Sequence, residues 1–400
     1  MTRSRAIVVV LAAAALSAWA DEGHFRRLSL ADYRDKMAGA WLGQSAGVAY
    51  GWPTEFKHCG KIIPEESLPV WKPELINETF SQDDLYVEMT FLETLEKYGI
   101  DVDVRQAGIE FANSRYRLWC ANNNARNNIR NGIAAPWSSD PKYHPSTDDI
   151  DYQIEADFAG IISPGMPARV RRLAGQFGRI MNYGDGLYAG IFVGALYAEA
   201  FFSSNRVAIV QTALESIPAE SKYAEMVRDM LRWYAETPQD WKVAWRKAVD
   251  KWQAKENIGR VSFANIDVKI NGAMVLLGYL WGEGDPDRTM QISTAGGYDS
   301  DCNPSSACGV LFTSLGASAV PARFKDGLSR TNTWEYTSYD YPKLLATCEW
   351  LTRKLVIAEG GRIEGNVLLI RNDGPNLSKD ELKRIRYAPA EAGGQSEAKK

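Results

Sequence analysis

The chain has 400 residues, 45% hydrophobic and 24% charged, which is ample apolar material for a packed core and excludes a disordered protein. Lysine and arginine number 46 against 50 acids, a formal net charge of −4. No long basic run is present to neutralise a line of phosphates, which argues against a nucleic-acid partner.

Residues 1–20 read as a secretory signal peptide. Arg3 and Arg5 precede an unbroken apolar run over 6–16, and Ala18-Trp19-Ala20 supplies a small-x-small cleavage pattern. Its removal would take the charge from −4 to −6. The run is short for a membrane span, and no later stretch approaches the roughly 20 apolar residues a span needs. The sequence therefore predicts an exported protein, periplasmic or secreted, with no membrane partner. No cysteine stands at the cleavage point to carry a lipid anchor.

From 21 to 358 helical periodicity dominates. Tyr33, Met37, Trp41 and Leu42 recur at helical spacing before a glycine-rich stretch over 43–51. Leu85, Met89, Leu92 and Leu95 form one stripe of a helix ended by Gly99, with Glu88, Glu93 and Glu96 off the stripe. Residues 187–202 carry one charge, Glu199, and predict a central helix buried all round. Further helices are predicted over 224–236, 239–253, 268–281, 305–318 and 341–357. The Gly- and Asn-rich stretches 122–132, 163–165 and 296–303 are expected to be irregular segments between helices. Ile363, Val367 and Leu369 suggest a short strand pair in a 359–400 extension, followed by a polar tail from about Asn376. No βαβ alternation or long repeat appears, so the fold class is all-α.

Five cysteines are too few for a disulfide scaffold, and Cys302 and Cys308 lie among small residues suited to helix packing. His24, His58 and His144 make no zinc signature. Three acidic clusters stand out instead: Gln82-Asp83-Asp84, Asp148-Asp149-Ile150-Asp151 and Asp299-Ser300-Asp301. Carboxylates so spaced can aim at one hard cation. A plainer account is also available, in which Asp83 and Asp84 cap the helix from Leu85, and the third cluster is a polar turn before the helix near Ser305.

Taken together, the motifs resemble the ADP-ribosylglycohydrolase family, the dinitrogenase-reductase-activating glycohydrolase fold, from about Met37 to Val320. The family's G-x-x-x-G-D-A-x-G-x-x-x-E looks like the segment from Gly43 to Glu55, and its T-D-D-T like Gln82-Asp83-Asp84-Leu85. Its H-G-D looks like Tyr183-Gly184-Asp185, and its G-G-D-T-D-T like Gly297-Tyr298-Asp299-Ser300-Asp301-Cys302. The resemblance implies an orthogonally packed helical fold with one or two magnesium ions in a cleft, with Mn2+ or Ca2+ as substitutes. Asp83, Asp84, Asp299 and Asp301 would be metal ligands, with Gln82 offering a carbonyl oxygen. Glu55 would be the general acid or base, and Asp84 and Asp301 would complete the catalytic set.

The departures matter. Threonines that ligate metal in the family are replaced by Gln82 and Cys302, and the aspartate of G-D-A-x-G by Val48; a cysteine sulfur suits magnesium poorly. Substrate contacts are expected from Trp52, from Asn123, Arg126 and Asn127 in an amide-rich loop, from Asp149, from Asp151 and Glu155, which share one helix face with Asp148, and from Asp185. Like charges stacked on that face need an offset from a metal, from Arg126 or Arg130, or from solvent. The resulting expectation is an exported metal-dependent glycosidase acting on an N- or O-glycosidic bond of a small-molecule glycoside: ribose-like, ADP-ribosyl or other. The competing reading is a sugar- or nucleoside-binding protein that kept the fold without turnover.

Overall fold

The computed structural model describes residues 24–253 and 263–386. The expected signal peptide over 1–20 and the end of the polar tail lie outside the described residues. The body is helical, as the periodicity predicts, with one small sheet. No described helix is long and apolar enough to cross a membrane.

Helix α1 (Leu30–Gly51) begins at a Ser29 cap and runs through the whole glycine-rich stretch. The glycines do not interrupt it because Gly39, Gly43, Gly47 and Gly51 recur every fourth residue and form one smooth face. Helix α6 (Cys302–Leu315) lies against that face. A Cβ on these glycines would overlap the carbonyl oxygens of Phe312, Cys308, Pro304 and Ser300 in turn. The two backbones are therefore in contact along an antiparallel register of four residues against four, and no side chain other than hydrogen fits between them.

The predicted helices are found with small shifts: Lys222–Glu236, Trp241–Trp252, Val268–Trp281 (α5), Tyr341–Ala358 (α7) and Asp185–Ala200 (α4), apolar between Asp185 and Glu199. Helix α6 starts at Cys302, three residues before the predicted start, so the third acidic motif runs directly into a helix N-terminus. Helix α2 (Asp83–Tyr98) also starts at its aspartates rather than after them. Trp41, Trp281 and Trp334 are fully buried core residues.

Two segments differ from expectation. Residues 122–132 do not form a loop: α3 (Cys120–Arg130) is a helix whose Ala121 and Ala125 are buried. Asparagine is a poor helix former, but tertiary partners at the N-terminus override that weak preference. Residues 147–157 are not one helix face, because short helices Asp151–Ile154 and Asp157–Ile161 are separated by a break at Glu155. In the extension, β2 (Arg362–Glu364) and β3 (Val367–Arg371) form the predicted strand pair. β1 (Phe25–Ser29) adds a third strand, antiparallel to β3, with Phe25 opposite Arg371. The start of the tail is ordered as helix α8 (Lys379–Arg386), held by Glu381 accepting from Arg171 at 2.7 Å.

Candidate metal centre and cleft

The α1–α6 contact brings the first and fourth motifs together. At the end of α1, the Thr54 hydroxyl lies 2.8 Å from the Ser300 hydroxyl, and Phe56 N–H donates to the Tyr298 carbonyl at 2.8 Å. Glu55 is thus bracketed by two bonds to the Tyr298–Ser300 segment. Tyr298 itself sits at φ 63° and is fully buried. That left-handed conformation is uncommon for an aromatic residue and suits the glycine of the family motif; it costs on the order of 1 kcal/mol. The following Asp299 N–H donates to Asn271 Oδ1 on α5 at 3.2 Å, and Asn303 Nδ2 donates to the same oxygen at 3.0 Å.

Asp299, Asp301 and Cys302 present ligand atoms all within 4.8 Å of one another, and all three residues are buried. Asp83 and Asp84 stand in the first turn of α2, close enough for the Asp301 charge to act on both. Each aspartate partly meets the capping account: Asp84 N–H donates to Asp83 Oδ1 at 3.2 Å and Leu85 N–H to Asp84 Oδ1 at 3.0 Å. Capping does not exhaust the cluster. Asp299 Oδ2 and Asp301 Oδ1 are buried without a hydrogen-bond partner, and an unpaired buried carboxylate oxygen is costly. Among the described residues no ion pair neutralises this group; Lys269 pairs with Asp267 at 2.9 Å and with Asp148 at 3.6 Å.

The group raises its own proton affinities. Burial, then the Asp301 charge, pushes Asp83 up to about 6. Burial and the neighbouring carboxylates also raise Asp84 and Asp299, and burial raises Asp301. Glu55 is pushed up to about 8, first by desolvation and then by Asp301 and Asp83. Because Glu55 is also open to solvent on its outer side, screening weakens that shift without reversing it. Orphaned carboxylate oxygens, mutual repulsion and the absence of a paired cation together fit a divalent metal ion.

The second acidic cluster adjoins the first. Asp149 Oδ2 accepts from Ala121 N–H at 2.7 Å, and Asp151 Oδ2 accepts from Asn122 N–H at 2.5 Å. These two aspartates receive the N-terminus of α3, which is what offsets their repulsion. Arg126 is not the offset: it is buried and donates to the Tyr116 carbonyl at 2.6 Å and the Ser114 hydroxyl. Asn182 donates to Asp149 Oδ1 at 3.1 Å as well. Glu155 accepts from Asn122 Nδ2 while its Oε2 has no partner, and burial raises its proton affinity, with the Asp83 charge adding to it.

The other expected contacts are dispersed. Asn123 and Asn127 are exposed on α3, whereas Asn122 is the asparagine that reaches an acid. Asp185 accepts from Tyr223 N–H at 3.0 Å at the start of α4. Gln82 is the residue preceding α2 and makes no side-chain capping bond. Trp52 and Trp119 are the exposed tryptophans near these motifs, at 42% and 50% exposure, with the Arg117 guanidinium 3.9 Å over the Trp119 ring.

Several residues near the centre carry no signal in the sequence. Glu88 is fully buried, not off the apolar stripe, and accepts from Phe158 N–H at 2.7 Å. Asp157 accepts from the Tyr197 hydroxyl at 3.2 Å. Tyr86 packs edge-on against Tyr336, with centroids 5.1 Å apart. Cys120 lies in the same apolar patch as Cys302, with Ile150, Ile154 and Ile266. All five cysteines are free.

A model of the ADP-ribosylglycohydrolase family matches residues 29–359. Among solved structures, the chain is similar to one described as an ADP-ribosylglycohydrolase-related protein complex. The identity is 18% and the TM-score 0.50, over 80% of this chain and 98% of that one. No curated protein matches.

Proposed function

The chain belongs to the ADP-ribosylglycohydrolase family, and from that premise we propose that it is a metal-dependent hydrolase of a small-molecule N- or O-glycoside. The observation that carries this reading is the buried Asp299–Asp301 pair with its orphaned oxygens, close enough to Asp83, Asp84 and Glu55 to raise the proton affinity of all three. A divalent cation held by those aspartates, Mg2+ or Mn2+ in the first instance, would supply positive charge against sugar hydroxyls and against charge developing at the glycosidic bond.

The chain's own groups account for the rest. Cleavage at an anomeric carbon passes through an oxocarbenium-like state and needs a proton delivered to the leaving atom. Glu55, at a solvent-open rim and disposed to hold a proton, donates it; the resulting carboxylate then accepts a proton from the attacking water. Trp52 and Trp119 offer exposed ring faces to the apolar side of a sugar or base. Glu155, whose proton affinity the Asp83 charge helps to raise, keeps one carboxyl oxygen without a partner, while Asp151 is taken up by the start of α3.

The N-terminal charge pattern and cleavage site support export. Export favours environmental nucleosides, furanosides and other glycosides as substrates, with the ADP-ribosyl bond as one case. Expression with the native N-terminus in a bacterial host should yield periplasmic protein beginning at Asp21; retention of Met1 would remove the argument from export.

The test is release of free sugar from a panel of ADP-ribosyl, nucleoside and aryl-glycoside substrates, with Mg2+ or Mn2+ and with chelator. Cation-dependent release from one class supports the hydrolase. Cys302 in place of the family's threonine favours a second reading, a sugar-binding protein without turnover. Calorimetric sugar binding with no release across the panel would establish that alternative.

A further inference from the structure

We propose that Cys302 is itself a ligand, through its thiolate, and that the Asp299–Asp301–Cys302 group takes a borderline transition metal of the zinc or cobalt type in preference to magnesium. The inference rests on the reading that this centre binds a cation. It departs from the magnesium expectation because the residues actually present form a different donor set.

Two observations carry it, and a third sets its condition. The Cys302 sulfur and the two carboxylates lie within 4.8 Å of one another, close enough for one ion to bridge them. Asp299 Oδ2 and Asp301 Oδ1, on residues only 1% and 3% exposed, have no hydrogen-bond partner outside the Asp299–Asp301–Cys302 group. Cys302 is the first residue of α6, a helix of 14 residues; burial and then the Asp299, Asp301, Asp84 and Asp83 charges raise its thiol's proton affinity, so the thiolate forms only with a cation in the proton's place.

The surroundings point the same way. Ile150, Ile154 and Ile266 pack around Cys302 and keep water from that side. Magnesium dehydrates reluctantly and prefers an octahedron of oxygens with several waters retained. A dry pocket with two carboxylates and one thiolate instead matches the few-ligand, sulfur-tolerant preference of zinc and its cobalt substitute. Binding replaces the S–H bond with a metal–sulfur bond and releases that proton to solvent; no electron is transferred. The Thr-to-Cys replacement then changes the metal without abolishing the site.

The experiment is a Co2+ titration of chelator-stripped, full-length mature protein, followed in the near ultraviolet and the visible. Direct sulfur ligation gives a thiolate-to-cobalt charge-transfer band. A hundredfold excess of Mg2+ should leave that band in place, whereas equimolar Zn2+ should erase it. Cys302→Thr, which restores the hydroxyl, should lose the band and let Mg2+ compete at least about tenfold better; Cys302→Ser provides a second variant if the first is unstable.

A wild-type protein that binds Co2+ without the band, or surrenders it to Mg2+, overturns the proposal, as does a band that survives in both Cys302 variants. Because the readout is optical, an inactive protein with the band would sink the hydrolase reading and keep this one. Magnesium-dependent turnover without the band would do the reverse.

Discussion

Gly51 and Ser300 touch backbone to backbone: a Cβ on Gly51 would overlap the Ser300 carbonyl oxygen and crowd the Asp301 Cα at 2.6 Å. This contact ends the glycine stripe of α1 at the point where Asp299 and Asp301 begin. Gly51→Ala should therefore force α1 and α6 apart at the site itself. The expected cost is about 3 kcal/mol of stability, at the upper end of ordinary overpacking, with weaker cation binding. Urea unfolding and a metal titration check it; an unchanged midpoint would show that the helices part without penalty.

Asp301 and Asp149 are both buried acids but do opposite work. Asp301 adds to the charge felt by Asp83, Asp84 and Asp299. In Asp301→Asn, hydrolysis should fall at least about a hundredfold, the equivalent of losing about 2.7 kcal/mol of charge stabilisation. The chelator-treated variant should nevertheless melt above wild type, because repulsion is relieved. Sugar-release assays and thermal melts in EDTA test the two halves separately, and retained turnover would sink the site assignment.

Asp149→Ala should instead unfold the start of α3. It leaves the Ala121 N–H, the Asp151 N–H and Asn182 Nδ2 without the carboxylate they now share. With about 1–3 kcal/mol lost for an unpaired buried donor, a destabilisation of about 3 kcal/mol is expected, with or without metal. Equal stability of wild type and variant in urea would mean that solvent replaces the lost acceptor.

The contrast between these two acids shows what a sequence can and cannot reveal. Motif order picks out Asp83, Asp84, Asp299 and Asp301 because each carries its context beside it: a helix start or a glycine-flanked turn. Helix lengths are legible for the same reason, since apolar period and caps are local. The α3 segment reads as a loop because its N-terminus is satisfied from about thirty residues downstream, by Asp149 and Asp151. Glu88 reads as a solvated acid for a similar reason: its partner, the Phe158 N–H, is 70 residues away. The every-fourth spacing of Gly39, Gly43, Gly47 and Gly51 is present in the sequence, but its meaning depends on a facing helix some 260 residues later.

The crowded carboxylates also set the pH dependence of the metal-free protein. Asp83 is pushed up to about 6 and Asp149 to about 7, both by burial first, while an unfolded aspartate titrates near about 3.9. Between those limits the native state binds more protons than the unfolded one, so stability falls as pH rises. The contribution is fully present below about pH 4 and disappears as pH climbs through about 6 to 7, each tenfold gain in a carboxyl's proton affinity being worth about 1.4 kcal/mol. A bound cation competes with those protons and favours the ionised carboxylates. In EDTA, the urea midpoint should decline from pH 4.5 to pH 8; with saturating divalent metal the Asp83 share of that decline should disappear while the Asp149 share, from a residue held by the start of α3, persists, so the gap between the two curves should widen with pH. Parallel curves across that range would show that the buried aspartates are neutralised within the protein rather than by a metal.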